Sequence, residues 1–246
     1  MKSSVSTANG QEVPPSVVTK LTVLGATGSI GLNTLEIVRQ FPHKFKIEAL
    51  SCRSSIECLV EQIKEFQPRL VCVDNSDQAR ELRETFRDRN SGTETEFVWG
   101  VEGLIQISSD PEVDLVVAGI VGAAGLQPTY SAVQAGKTVA VANKEPLVMA
   151  GELFVQTANK TGAKLLPTDS EHNAIFQALH GEPLEHIARL ILTASGGPFR
   201  DLPLKEFGKI TLAEALSHPN WEMGRKISID SATMMNKGLE IIEAHW

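Results

Sequence analysis

The chain has 246 residues, 42% of them hydrophobic and 22% charged, with 30 acidic side chains against 23 basic ones and a net charge of −7. These values exclude disordered, collagen-like and low-complexity architectures and leave material for one large domain or two smaller ones. The acidic balance argues against a diffuse nucleic-acid binder, and no apolar run reaches the roughly 18 residues of a membrane-spanning helix, so neither nucleic acid nor membrane is an expected partner.

Residues 1–19 are polar, with prolines at 14 and 15. They lack the apolar core of a secretory signal and the arginines of a transit peptide, and are read as a disordered leader. From Lys20 onward, short β-rich runs alternate with amphipathic stretches. Strands are expected at LTVLG (21–25), KIEALSC (46–52), RLVCVD (69–74), EFVWG (96–100), VDLVVAG (113–119), KTVAVAN (137–143), AKLLPTD (163–169) and ARLILTAS (188–195). Helices are expected at 32–41, 55–66, 77–88 and 172–179. In the second of these Ile56, Leu59, Val60, Ile63 and Phe66 recur every three or four residues, the stripe of a helix packed on a sheet. Apolar strands separated by helices imply right-handed βαβ units, hence an α/β fold with a Rossmann-like, mainly parallel sheet covered on both faces. Polar residues gather at strand ends after Thr168. A nucleotide-binding domain is therefore expected over 20–168 and a second, catalytic α/β domain over 169–246. Cys52, Cys58 and Cys72 have no metal-ligand spacing and read as structural thiols in a reducing, cytoplasmic setting.

The first strand runs straight into GATGSIG at 25–31 and then a helix. Gly25, Gly28 and Gly31 at that turn would let a dinucleotide's pyrophosphate approach the backbone and rest on free helix amides; the other reading is a tight turn without ligand. The second strand ends in Cys52, Arg53, Ser54 and Ser55 with no acid at its tip. An arginine and hydroxyls there suit a 2′-phosphate, which favours NADP over NAD. Gly136-Lys137-Thr138 imitates the end of a P-loop, but Ser131 stands where the earlier glycine is needed, and the tripeptide leads into a strand rather than out of one.

Asp169 and Glu171 follow an apolar strand and open a helical run. Two readings stand for them: hard oxygen ligands for Mg²⁺ or Mn²⁺, or caps of the helix. Their neighbour His172 reads as structural. Ser231, Asn236 and Lys237 can surround a phosphate, Ser195-Gly196-Gly197 offers backbone amides nearby, and Glu240, one turn beyond Asn236, can complete a metal site. The alternative is a capped helix with solvated charges. His218 and Trp221 lie in HPNWEMG, either a lid or a satellite hydrophobic cluster, and Lys144 ends another strand.

The segments GATGSIG, AGIVGAAGL, ANKE, LLPTDSEHNAIFQAL, SGGPFR, HPNWEMGRKISIDSATMMNKGLE and EAHW together resemble the 1-deoxy-D-xylulose 5-phosphate reductoisomerase family, over essentially all of 20–246. The resemblance implies an NADPH- and divalent-metal-dependent oxidoreductase. It would isomerise and reduce 1-deoxy-D-xylulose 5-phosphate to 2-C-methyl-D-erythritol 4-phosphate for isoprenoid precursors. It implies that Asp169, Glu171 and Glu240 hold the metal, with Lys144 and His218 in the catalytic machinery. Ser170, Ser195, His218, Trp221, Ser231, Asn236 and Lys237 would contact the sugar phosphate. Gly25, Thr27, Gly28, Ser29, Ile30, Arg53, Ser54, Asn143 and Glu145 would contact the cofactor, and His218 and Trp221 would belong to a closing flap. Pro146 stands where the family usually has Ser, and Cys52-Arg53-Ser54 replaces a Gly-Lys-Asn-like segment. Family members continue past Trp246, so the catalytic domain is expected to be incomplete here and the family's homodimer is expected only of the longer chain. Two rivals share the first domain: a metal-independent NADP semialdehyde dehydrogenase, which would need a cysteine outside the nucleotide half, and a cofactor sensor without turnover.

Overall fold

In the computed structural model, residues 18–87, 95–217 and 224–246 are described. In chain order they form β1 (Thr19–Leu24), α1 (Ser29–Gln40), β2 (Phe45–Ser51), α2 (Ile56–Phe66), β3 (Leu70–Val73), α3 (Ser76–Arg87), β4 (Glu96–Trp99) and α4 (Gly100–Ser109). There follow β5 (Leu115–Ala118), α5 (Leu126–Gln134), β6 (Thr138–Val141), α6 (Glu145–Thr161), β7 (Lys164–Pro167), α7 (Ser170–Ala178), α8 (Leu212–Ala215), α9 (Arg225–Ala232) and α10 (Met235–His245). β1 begins one residue ahead of the expected ordered region, because Thr19 pairs with Phe45 and donates its amide to the Lys44 carbonyl.

The seven strands form one sheet in the order β4-β3-β2-β1-β5-β6-β7, and every pairing is parallel. Parallel strands need a crossover between them, and the alternating helices supply it on both faces. Leu35 and Val38 of α1, Leu59 and Ile63 of α2 and Ala79 and Leu82 of α3 build one core. Ile107 of α4, Ala132 and Val133 of α5 and Phe154 of α6 build the other. The strand order reverses at β1, so the crevice beyond the carboxyl ends of β1 and β5 is the topological switch point, where open α/β sheets bind ligands.

Gly136 ends the α5 turn with φ +72°, and Lys137 ties its ammonium to the Val113 carbonyl at 2.7 Å, which makes this tripeptide a structural tie rather than a phosphate loop. One expected strand is absent: residues 188–195 form no strand, and Leu190 and Ile191 are 57% and 67% exposed. Its β-rich composition is a local property, whereas a strand exists only through ladder hydrogen bonds to a neighbour, and none of the described strands pairs with this segment.

Candidate active site

Two groups of residues face the carboxyl ends of the strands. The first lies at β1 and β2. Gly25 has φ +80°, which an L side chain rarely adopts, and its amide donates to the Ser51 hydroxyl oxygen at 2.9 Å. A Cβ on Gly31 would sit 2.5 Å from Ala26 Cα, so only glycine lets α1 dock this closely on the end of β1. The N-terminus of α1 has no side-chain cap and no acid in its first turn. Its free amides, with Thr27, Gly28, Ser29 and Ile30 at the rim, form a ready anion site. Thr27 Oγ1 contacts Cys52 Sγ at 3.2 Å, which couples this loop to the tip of β2. There the Arg53 side chain is 86% exposed and lies 3.7 Å from Asp74; Ser54 adjoins it. Asp74, at the end of β3, was not marked by any sequence pattern, since it reaches Arg53 only through the β2–β3 pairing. Asn143 is buried: its amide nitrogen donates to the Gly122 carbonyl at 2.9 Å, and its Oδ1 accepts from the Glu145 amide at 3.3 Å. It shapes the floor between β5 and α6. The Glu145 carboxylate is ion-paired to Lys226 of α9, which also holds Asp230 at 2.8 Å.

The second group lies past β7. Asp169 caps α7, with Oδ1 accepting from the Ser170 amide at 3.1 Å, and its other oxygen meets the Lys144 ammonium. The capping and ligand readings are therefore compatible, because each uses a different carboxylate oxygen. Glu171 follows on the first turn of α7, and Glu240 reaches in from α10 fully buried. One ligand atom from each of Asp169, Glu171 and Glu240 lies within 4.8 Å of the others. Lys144, at the start of α6, approaches Glu240 Oε1 at 3.3 Å and donates to Asn236 Oδ1 at 2.8 Å. Lys237 bridges Glu171 Oε1 at 3.1 Å and Glu240 Oε2, and also donates to the Thr193 carbonyl. Asn236 donates to Glu240 Oε1, and the Ser170 hydroxyl to Glu171 Oε2 at 2.6 Å.

Burial pulls the Lys144 ammonium down, but its bonds to Asp169 and Glu240 outweigh that, and the net shift is upward. Burial likewise pushes Glu171 up, while Ser170 and Lys237 draw it below the usual carboxylate range. Three carboxylates, contacted by two ammonium groups, form a hard, oxygen-only donor set, which suits Mg²⁺ or Mn²⁺. The phosphate candidates converge on the same place. Gly196 and Gly197 both have positive φ, and a Cβ on Gly197 would sit 2.5 Å from the Ser231 carbonyl, so the Ser195 loop lies against the end of α9. Asn236 and Lys237 stand on the first turn of α10, which carries no acid there. His218 and Trp221 lie outside the described residues.

Behind the trio is a feature that the sequence reading missed. Glu243, three residues after Glu240, is buried beside His172. Its only sequence signal was an acid spaced for the same helix face amid apolar residues. Burial pushes the Glu243 carboxyl up to about 7, against the opposing pull of His172. A carboxyl raised in the folded state contributes stability that is fully present below its ordinary value and lost as pH rises through about 7. In the metal-free chain, the melting temperature of wild type relative to Glu243→Leu is therefore expected to fall between about pH 4.5 and 7, as followed by thermal denaturation in a pH series. A pH-independent difference would contradict this assignment.

A family model described as 1-deoxy-D-xylulose 5-phosphate reductoisomerase matches residues 21–151, and one for that enzyme's C-terminal domain matches residues 165–246. The chain belongs to this family. It is 55% identical over 231 residues to the 1-deoxy-D-xylulose 5-phosphate reductoisomerase of Dechloromonas aromatica, covering 92% of this chain and 58% of the relative. The reductoisomerase of Geobacter metallireducens is 52% identical, with the same coverage. Among solved reductoisomerases, one in complex with NADPH, fosmidomycin and magnesium superposes with a TM-score of 0.84 at 50% identity, covering 92% of this chain and 57% of that one. The Zymomonas mobilis reductoisomerase in complex with NADPH gives 0.83 at 40% identity, covering 93% and 57%. The chain thus spans about 58% of the length of the curated reductoisomerases it matches.

Proposed function

We propose that this chain carries the nucleotide-binding and metal-binding parts of a 1-deoxy-D-xylulose 5-phosphate reductoisomerase, with the domain boundary after Thr168. The reaction is the NADPH- and divalent-metal-dependent conversion of 1-deoxy-D-xylulose 5-phosphate to 2-C-methyl-D-erythritol 4-phosphate. The observation that carries this reading is the meeting of Asp169, Glu171 and Glu240, from two helices, on the same side of the sheet as an uncapped GATGSIG loop. The reductoisomerase solved with NADPH, fosmidomycin and magnesium supports the ligand set. A small-molecule sugar phosphate is the partner, and the homodimer and a cytoplasmic setting belong to the same proposal.

Asp169, Glu171 and Glu240 would hold the cation, which when bound supplies Lewis acidity to the substrate's carbonyl and hydroxyl oxygens. Lys144 orients Asp169 and Glu240 before any ligand arrives. Lys237 supplies positive charge and Asn236, Ser195 and Ser231 directional hydrogen bonds for the phosphate, assisted by the amides at the start of α10. The α1 loop seats the cofactor pyrophosphate. His218 and Trp221 would close over the substrate and exclude water.

The direct test follows NADPH oxidation on adding 1-deoxy-D-xylulose 5-phosphate with Mg²⁺ or Mn²⁺, then with excess chelator. Metal-dependent oxidation supports the proposal. Oxidation that survives chelation would favour a metal-independent dehydrogenase, and intact NADPH binding without turnover would favour a sensor or an incomplete catalytic domain. Cofactor choice has its own test. Arg53, largely exposed and 3.7 Å from Asp74, offers a fixed charge for the 2′-phosphate at the tip of β2, so Arg53→Ala is expected to weaken NADPH binding about tenfold or more, with NADH affinity unchanged. Equal losses for both nucleotides in fluorescence titrations would remove Arg53 from that role.

A further inference from the structure

Glu243 and His172 occupy a place where elementary chemistry disfavours polar groups. They line a cavity of about 390 Å³ whose other walls include Leu147, Val155, Leu165 and Ile175. Both residues are more than nine-tenths buried, and His172 Nδ1 and Glu243 Oε2 find no hydrogen-bond partner among the described residues. Burying such groups in apolar surroundings costs free energy that an aliphatic pair would not.

The geometry shows what they hold. His172 follows Glu171 on α7, and its Nε2 lies 2.9 Å from the backbone carbonyl of Glu240 on α10. A carbonyl can only accept, so Nε2 carries the hydrogen and donates it. Glu243 Oε2 lies 3.7 Å from the same Nε2, too far for a hydrogen bond of its own, and sets the polar end of its side chain against the ring edge that presents this N–H, a contact of shape and polarity that fixes the ring's orientation. The two helices that carry the acidic trio are thus joined directly behind it: α7 brings Asp169 and Glu171, α10 brings Glu240, and the imidazole bridges them at the residue next to Glu171.

We propose that Glu243 is a positioning residue for the cation site: through His172 it holds the Glu240 segment of α10 against α7 and so sets the spread of the three carboxylates. The inference rests on reading Asp169, Glu171 and Glu240 as a cation site. Groups that orient metal ligands typically change metal affinity by roughly ten- to a hundredfold when removed.

Mn²⁺ binding to the whole chain, measured by calorimetry with metal content determined in parallel, tests the proposal with Glu243→Leu and Glu243→Gln. Leucine suits an apolar cavity, so a merely structural role would survive that change. Glutamine keeps the shape and a polar end without the charge. The expected result is a loss of Mn²⁺ affinity of about tenfold or more in Glu243→Leu, with a melting temperature no lower than that of wild type and NADPH affinity retained, and near-normal Mn²⁺ affinity in Glu243→Gln. Unchanged Mn²⁺ affinity in Glu243→Leu overturns the proposal, as do equal losses in both variants, which would mean that the charge alone matters. Two Mn²⁺ per wild-type chain, falling to one in Glu243→Leu, would make Glu243 a ligand and overturn it too. Failure of wild type to bind Mn²⁺ is a separate outcome: it removes the cation-site reading itself, and the proposal with it.

Discussion

Replacing Glu240 by glutamine is expected to weaken Mn²⁺ binding by more than about a hundredfold, beyond the range typical of losing a group that only orients a ligand, and to abolish metal-dependent NADPH oxidation. The residue is fully buried, and its two oxygens meet Lys144, Lys237 and Asn236 at once. Glutamine preserves the shape but replaces one anionic oxygen by an amide that cannot ligate a hard cation, leaving two ammonium groups against two carboxylates. An incoming divalent cation then meets a neutral site instead of a net negative one. NADPH affinity should not change, because among the described residues no hydrogen bond or ion pair joins the α1 loop to Glu240. Calorimetric titration of both ligands decides the matter, and wild-type Mn²⁺ affinity in the variant would exclude Glu240 as a ligand.

The second large effect separates folding from binding within one loop. Gly31→Ala is expected to destabilise the chain by about 1–3 kcal/mol, because its new methyl group would press on Ala26 Cα at 2.5 Å and on the Gly25 carbonyl, so α1 must lift from β1. With α1 displaced, its N-terminal amides no longer face the pyrophosphate, and NADPH binding should fall by about a hundredfold. Gly28→Ala is the contrasting case. Gly28 has φ −81°, and a Cβ there would meet only the Gly25 carbonyl, at 3.4 Å, so the fold should tolerate it. The new methyl group would nevertheless stand where the pyrophosphate approaches the backbone, so binding should suffer without loss of stability. Thermal melts and NADPH titrations on both variants test the pair. Equal stability losses would refute the separation.

Much of this protein was legible in its sequence. Strand and helix periodicity are local properties, so seven of the eight expected strands and the first three helices appear where pattern placed them. The GATGSIG loop was legible because Gly25 and Gly31 serve turn and packing needs that only glycine meets. The acidic trio was legible through the resemblance of SEHNAIFQ and DSATMMNKGLE, although composition alone left Asp169 and Glu171 open to a capping role. Asp169 does cap α7, and uses only one oxygen to do so.

What the sequence could not reveal depends on contacts between distant residues. ARLILTAS has the composition of a strand, yet a strand needs a neighbour to pair with, and only the three-dimensional arrangement shows that none of the described strands pairs with it. Lys144 by pattern only ends a strand, and only the resemblance puts it in the site; the fold shows why, because α10 brings Glu240, 96 positions away, to its ammonium. Glu243 and His172, each ordinary in its own helix, become a buried pair only when α10 packs beside α7. Local propensity follows from each residue's own chemistry, whereas desolvation and charge pairing are decided by which groups are brought together as water is removed.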